Sequence, residues 1–309
     1  MTATAPIAPS IRDDSGRSRL PDRSGFATTD DGVRIAFDVY GDGRPTIVFL
    51  PSFPIIHSRQ WKAQVHYLAR HFRVVTYDGR GNGRSDRPVE SEAYEESRVL
   101  GDLEAVMDAT DTPRAVLVGL CGDGVWRAIE TAVAHPERVL GIVAFAVGVP
   151  YITAPHPHRV AYPWDEELET DEGWAKVNRH YWQRDYPGFA EFFFGQCVPE
   201  PHSTKAVEDV VGWTLDGSVD AMIAENSLPA QTDLERVEAT CRAVPCPMLL
   251  VHGTDDRCQP IARARRLAEL TGAPLVEVEG AGHMIPGRHP VLANLLIRDF
   301  VRSLEGVRP

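Results

Sequence analysis

The chain contains 309 residues, of which 43% are hydrophobic and 25% are charged, as in an ordinary globular protein. Its formal net charge of -12 argues against nucleic acid or an anionic membrane surface as a general partner. No apolar run approaches the roughly 20 residues of a membrane-spanning helix, and the first residues lack the apolar core of a secretion signal. We therefore expect a cytoplasmic protein with one large domain, or with a domain that carries an inserted subdomain.

Residues 1–24 are rich in small, polar and proline residues and show no periodic apolar pattern. We predict that they form a disordered tail. The chain has five cysteines, an odd number, and no export signal is evident. Reduced thiols are therefore expected rather than a disulfide framework.

Short apolar runs alternate with helix-like segments after the tail. The predicted strands are GVRIAFDVY, PTIVFLP, FRVVTYD, RAVLVG, ERVLGIVAFAVG, PCPMLLVHG and PLVEVEG. Segments with helical spacing separate most of them. This alternation predicts an α/β fold with a mostly parallel sheet and helices on both faces.

Residues 147–243 interrupt the alternation, because they contain no apolar strand and are helix-like and rich in aromatic residues. We predict that they form an inserted helical lid, and we call them the lid segment. The core is then formed by residues 25–146 and 244–309.

Four separated motifs carry candidate chemistry. GLCGDG follows a predicted strand and opens a helix, with Cys121 at its centre. YDGRGNGRSDRP follows an earlier strand. LLVHGTDDRCQP ends a strand next to Asp256, and VEGAGHMI places His283 in a glycine-containing loop.

Together these motifs resemble the α/β-hydrolase superfamily, and the resemblance covers nearly the whole chain after the tail. It implies an eight-stranded sheet of the α/β-hydrolase type and a catalytic triad in the order nucleophile, acid, histidine. The matching positions are Cys121, Asp256 and His283, with Asp255 as the adjacent candidate for the acid. Cysteine stands where most relatives carry serine.

The proposed roles follow from the properties of these groups. A helix N-terminus and a nearby imidazole both favour the thiolate of Cys121. His283 would accept the thiol proton and later donate it to the leaving group, while Asp256 would orient the imidazole.

Two departures from the family pattern concern the neighbourhood of the nucleophile. Asp123 occupies a position that is usually small, where a side chain would crowd the neighbouring strand. We interpret it as an acidic residue in the first helical turn, with direct catalysis as the alternative. LPSFP replaces the usual His-Gly pair, so the oxyanion hole would use the main-chain N–H groups of Phe53 and Gly122.

These residues predict a cysteine hydrolase or acyltransferase that forms an acyl-thioester from an ester, lactone or thioester. Water, an amine or an alcohol would then take the acyl group. The substrate, free or bound to a carrier, would have an apolar or aromatic part.

Candidate pocket residues are His57, Trp61, Asp123 and His202. No cofactor or metal is expected, and the oligomeric state is left open. The alternatives are a non-catalytic ligand-binding member of the fold, or a lyase using the same pocket.

Overall fold

The computed structural model describes residues 19–52, 54–150, 152–229 and 233–305. Eight strands form one sheet in the order β1-β2-β4-β3-β5-β6-β7-β8. The strands are β1 (Arg23–Thr28), β2 (Arg34–Tyr40), β3 (Thr46–Phe49), β4 (Arg73–Tyr77), β5 (Ala115–Leu120), β6 (Val139–Phe145), β7 (Met248–Gly253) and β8 (Leu275–Val278).

All pairings from β4 to β8 across the sheet are parallel. The two pairings that involve β2 are antiparallel. The predicted fold class, an α/β fold with a mostly parallel sheet, is therefore confirmed. Because the central strands run parallel, their carboxyl ends lie at one edge of the sheet, where loops can bring distant residues together.

The sheet is covered on both faces, which explains why β5 is buried along its whole length. Alternate residues point to opposite faces: Val118 packs in one apolar cluster and Leu117 in the other. The core helices are α1 (Lys62–Leu68), α2 (Glu96–Ala109), α3 (Cys121–Ala134), α8 (Ile261–Thr271), α9 (Ile285–Arg288) and α10 (Pro290–Glu305).

The lid segment lies between β6 and β7. It contains α4 (Arg179–Cys197), α5 (Thr204–Leu215), α6 (Val219–Asn226) and α7 (Leu234–Arg242). Its described residues form no strand, and α4 is kinked at Asp185, two residues before Pro187. That this segment acts as a lid stays a prediction.

The amino-terminal boundary differs from the predicted one. β1 begins at Arg23, which pairs with Val39 of β2, so the sheet starts within the segment predicted as tail. Residues 1–18 lie outside the described residues. Across the described ranges, none of the helices is long and apolar enough to cross a membrane.

Candidate active site

Cys121 stands on a sharp turn between β5 and α3. Its φ angle is +65°, a left-handed conformation that is uncommon for a residue with a side chain. The turn requires close packing, because a Cβ atom on Gly119 would lie 2.4 Å from the carbonyl oxygen of Gly124. The half-buried thiol is thus presented at the carboxyl edge of the sheet, at the start of a helix.

Asp256 and His283 meet beside this turn. The Nδ1 atom of His283 lies 2.8 Å from Oδ2 of Asp256, and both side chains are buried. Oδ1 of Asp256 accepts hydrogen bonds from the main-chain N–H groups of Cys258 and Gln259, at 2.8 and 2.9 Å. Asp255 is exposed and pairs with Arg257 at 3.6 Å. The geometry therefore favours Asp256 over Asp255 as the partner of the histidine.

Charges around His283 favour its protonated form. Burial lowers the pKa of His283, but the charges of Asp256 and Cys121, and hydrogen bonds to both side chains, raise it well above its ordinary value. Burial opposes ionisation of Asp256, yet His283 and the surrounding hydrogen bonds hold its pKa below the ordinary value. The imidazole thus interacts with a carboxylate and with the thiol of Cys121.

Two neighbours of this cluster were not anticipated from the sequence. His252, in β7, is fully buried, and its Nε2 atom lies 3.0 Å from the carbonyl oxygen of Gln259 and 3.4 Å from Oδ2 of Asp256. Burial lowers the pKa of His252, which favours the neutral ring. The side-chain amide of Gln259 donates to Sγ of Cys121 at 3.9 Å. A polar residue inside the apolar run LLVHG was the available signal for His252.

The end of α4 packs directly against the histidine loop. The N–H of His283 donates to the carbonyl oxygen of Cys197 at 2.9 Å. The N–H of the preceding residue, Gly282, donates to Oε1 of Glu200 at 2.8 Å. The lid segment therefore supplies two hydrogen-bond acceptors to the backbone that carries the histidine.

Within the described ranges, Asp256, Cys258 and His283 form a group of side chains that could together hold a metal ion. Their candidate ligand atoms are buried and lie within 4.8 Å of one another. Both Asp256 oxygens and Nδ1 of His283 are already engaged in the hydrogen bonds described above. A metal ion would have to displace the contact that orients the imidazole, so these residues fit the triad better than a metal site.

Asp123 lies near a half-buried ion pair, Arg127–Glu225, that joins α3 to the lid segment. Burial raises the pKa of Asp123, which reduces the negative charge that would oppose a thiolate nearby. Arg127, one turn later, donates to the carbonyl oxygen of Ser52 at 3.2 Å and to Oε1 of Glu225 in α6 at 3.3 Å. The preceding residue, Gly122, is also tightly packed: a Cβ atom there would lie 2.9 Å from the carbonyl oxygen of Gly148.

The other three predicted pocket residues have no described contact with Cys121, His283 or Asp256. Trp61 is a core residue, only 1% exposed, and its Nε1 atom donates to the carbonyl oxygen of Leu50 at 3.3 Å. This burial corrects its assignment to the substrate pocket. His57 is buried, and its Nε2 atom lies 3.5 Å from Oδ2 of Asp216. It lines a separate polar cavity of about 260 Å³, and burial lowers the pKa of its imidazole. His202 is exposed in the turn before α5.

Of the two predicted oxyanion donors, Gly122 lies within the described residues. Gly122 lies in the first turn of α3, where N–H groups have no carbonyl partner within the helix. A Cβ atom on Gly148 would stand 2.6 Å from the Gly122 nitrogen, so the absence of a side chain at position 148 keeps the approach to this N–H clear. Phe53 lies outside the described residues.

Comparison with known proteins agrees with this architecture. The chain is 28% identical over 284 residues to a non-heme chloroperoxidase of Streptomyces lividans, which covers 90% of this chain and 100% of the relative. It is 27% identical over 284 residues to a bifunctional esterase/perhydrolase of Acinetobacter calcoaceticus, with the same coverage. A solved structure described as Est816, an N-acyl homoserine lactone degrading enzyme, matches with a TM-score of 0.72 and 25% identity, covering 89% of this chain and 100% of that chain.

A family model covers most of the sequence. Residues 45–290 match the model described as alpha/beta hydrolase fold. This range contains Cys121, Asp256 and His283 together with the lid segment. The chain therefore belongs to the alpha/beta hydrolase fold family.

Proposed function

We propose that this protein is an acyl-transfer enzyme in which Cys121, His283 and Asp256 act as a catalytic triad. The observation that carries the proposal is the arrangement around His283: Asp256 lies 2.8 Å from Nδ1, and the imidazole also interacts with the thiol at the turn before α3. The raised pKa of His283 supports an imidazolium that is available to protonate a leaving group.

In the first step, the sulfur of Cys121 attacks the carbonyl carbon of the substrate. Electrons move onto the carbonyl oxygen, where main-chain N–H groups stabilise the negative charge, that of Gly122 among them. The intermediate then expels the leaving group, which takes the proton from His283, and an acyl-thioester remains on Cys121.

In the second step, His283 takes a proton from the acceptor, which attacks the thioester and releases Cys121. Water as the acceptor gives a carboxylic acid, whereas an amine or an alcohol gives an amide or an ester. Relatives named as an esterase/perhydrolase and as a lactone-degrading enzyme support esters and lactones as the first substrates to test. A thioester remains a further candidate.

The aromatic residues of α4 support an apolar acyl group only indirectly. The Trp182 and Phe189 rings lie 4.5 Å apart, and Phe189 lies 5.6 Å from Phe193. These rings mainly pack against one another, which is the usual reason for such a cluster. We therefore infer an apolar environment beside the site rather than contact between a named ring and the substrate.

The test is intact-protein mass spectrometry after mixing with p-nitrophenyl esters of short acids. We expect a mass increase of one acyl group, mapped to Cys121, and its loss on longer incubation with water or an added amine. Cys121→Ala should abolish the adduct and lower turnover by at least about a thousandfold. Cys246→Ala, which removes another half-buried thiol, should leave both unchanged.

Cys121→Ser provides a second comparison. A serine hydroxyl needs removal of its proton during attack, and Asp256, which the variant retains, still favours the protonated imidazole, which is a poor base for this step. We expect slow acylation that accelerates as the pH rises. Full turnover in Cys121→Ala would overturn the covalent mechanism and favour a lyase. A folded protein that binds esters without forming an adduct would favour a ligand-binding role.

A further inference from the structure

Two cysteines that the proposed mechanism does not use face each other beside the triad. Sγ of Cys197 lies 3.2 Å from Sγ of Cys258, and the residues are 1% and 2% exposed. Both are free thiols. Cys197 is the last residue of α4, and Cys258 follows Asp256 by two residues. The pair thus spans the junction between the lid segment and the loop that carries the acid.

A small movement would join these sulfur atoms. A disulfide requires a separation of roughly 2.05 Å, whereas the thiols now stand 3.2 Å apart. The 61 positions between the two residues make this a long-range link rather than a contact of neighbours in the sequence. Among the described residues, no other pair of cysteines has a sulfur–sulfur contact.

We propose that Cys197 and Cys258 form a reversible disulfide that ties the end of α4 to the acid loop. The oxidant is a hydroperoxide such as hydrogen peroxide. A thiolate attacks one peroxide oxygen, the O–O bond breaks, and a sulfenic acid and hydroxide are formed. The second sulfur then attacks the sulfenic sulfur and expels its oxygen as water. Overall, two thiols and one hydrogen peroxide give one disulfide and two waters.

The environments of the two thiols assign the first step to Cys258. The hydrogen bond from Cys197 lowers the pKa of Cys258 despite its burial, and the charge of His283 acts in the same direction. Burial raises the pKa of Cys197. Cys258 is therefore the thiol that reacts with the peroxide, and Cys197 completes the disulfide.

The backbone of each cysteine also contacts the triad. The carbonyl oxygen of Cys197 accepts from the N–H of His283, and the N–H of Cys258 donates to Asp256. The disulfide would hold these two contacts together and would restrict the unfolded chain by closing a long loop. The oxidised protein should therefore resist thermal unfolding better than the reduced protein.

The experiment uses full-length protein that carries Cys121→Ala. This change removes the half-buried thiol beside the pair, and it makes the result independent of whether Cys121 is a nucleophile. After incubation with hydrogen peroxide, we expect the mass to fall by two hydrogen atoms and peptide mapping to find Cys197 linked to Cys258. Dithiothreitol should reverse both changes. The melting temperature should be higher by about 5 °C in the oxidised form.

Matched variants separate this pair from the other thiols. Cys197→Ala and Cys258→Ala, each in the same background, should abolish the mass loss and the shift in melting temperature, whereas Cys246→Ala should retain both. If an alanine variant fails to fold, the corresponding serine variant replaces it. A link between other cysteines, or oxygen addition to Cys258 without any link, would overturn the proposal. So would an unchanged mass after prolonged exposure to peroxide.

Discussion

Replacing Glu225 should change how the stability of the protein depends on pH. It lies in α6 and accepts a hydrogen bond from Arg127 through Oε1, while its buried Oε2 has no hydrogen-bond partner among the described residues. Burial and the nearby charge of Asp123 raise its pKa from 4.5 to about 8. The charges of two carboxyl groups, Asp123 and Glu225, thus act on one guanidinium, and the folded protein keeps a proton on Glu225 at neutral pH.

The sign of the effect follows from the raised pKa. Below the ordinary pKa of 4.5, Glu225 is protonated in both the folded and the unfolded chain, and its contribution to the free energy of unfolding is fully present. As the pH rises toward 8, the unfolded chain loses its proton while the folded chain retains it, so stability falls. The slope approaches about 1.4 kcal/mol per pH unit. Between about pH 5 and pH 7, the loss is therefore about 2–3 kcal/mol.

Glu225→Gln should remove this dependence, because glutamine keeps an acceptor for Arg127 and carries no titratable group. The free energy of unfolding, measured in urea at several pH values, should fall less steeply in the variant than in the wild type. Glu191→Gln, an exposed change within α4, is the matched control and should follow the wild-type curve. Parallel curves for wild type and Glu225→Gln would refute the buried, protonated state of this carboxyl.

Three other changes test the geometry of the site. Gly119→Ala would place a Cβ atom 2.4 Å from a carbonyl oxygen of α3 and should lower the free energy of unfolding in urea by about 3 kcal/mol. Gly195→Ala, whose Cβ atom would meet no atom within 4 Å beyond its own stretch of helix, should raise it by up to about 1 kcal/mol. Brief iodoacetamide treatment should label Cys121 before Cys246, because burial raises the pKa of Cys246 to about 11. Peptide mapping that finds the reverse order would contradict the proposed reactivity. Asp256→Asn should slow acylation in stopped-flow assays, but by less than the roughly 10,000-fold cost in a serine triad. The same change at the preceding, exposed aspartate should have no effect, and equal losses in both variants would contradict the assignment.

The sheet and the candidate triad could be predicted because their signals are local. The strands β2 to β8 each contain a short apolar run, whereas β1, with the sequence RSGFAT, does not, and its pattern does not predict a strand. Cys121, Asp256 and His283 each follow or flank one of the apolar runs. The carboxyl ends of parallel strands meet at one edge, so residues far apart in sequence become neighbours once the strand order is known. The family resemblance supplied the order of the three triad candidates along the chain, whereas the order of the strands in the sheet comes from the structure.

The contacts around the triad could not be predicted in this way. Glu225 meets Arg127 across 98 positions, and Cys197 meets Cys258 across 61. These pairs depend on how the lid segment docks on the sheet, and no periodic pattern encodes that docking. The burial of Trp61 was missed for a related reason: an aromatic residue beside a predicted oxyanion loop is equally compatible with the core and with a pocket.

The attachment of the histidine loop to α4 bears on how this protein could be redesigned. The N–H of Gly282 donates to Glu200, and the N–H of His283 donates to the carbonyl oxygen of Cys197. The end of α4 and the segment that follows it therefore help to hold the imidazole in position. A chimera that exchanged everything between β6 and β7 would discard those acceptors along with the helices. The lid segment and the histidine loop are therefore not structurally independent, and a graft should retain residues 197–200 and begin its replacements further from the sheet.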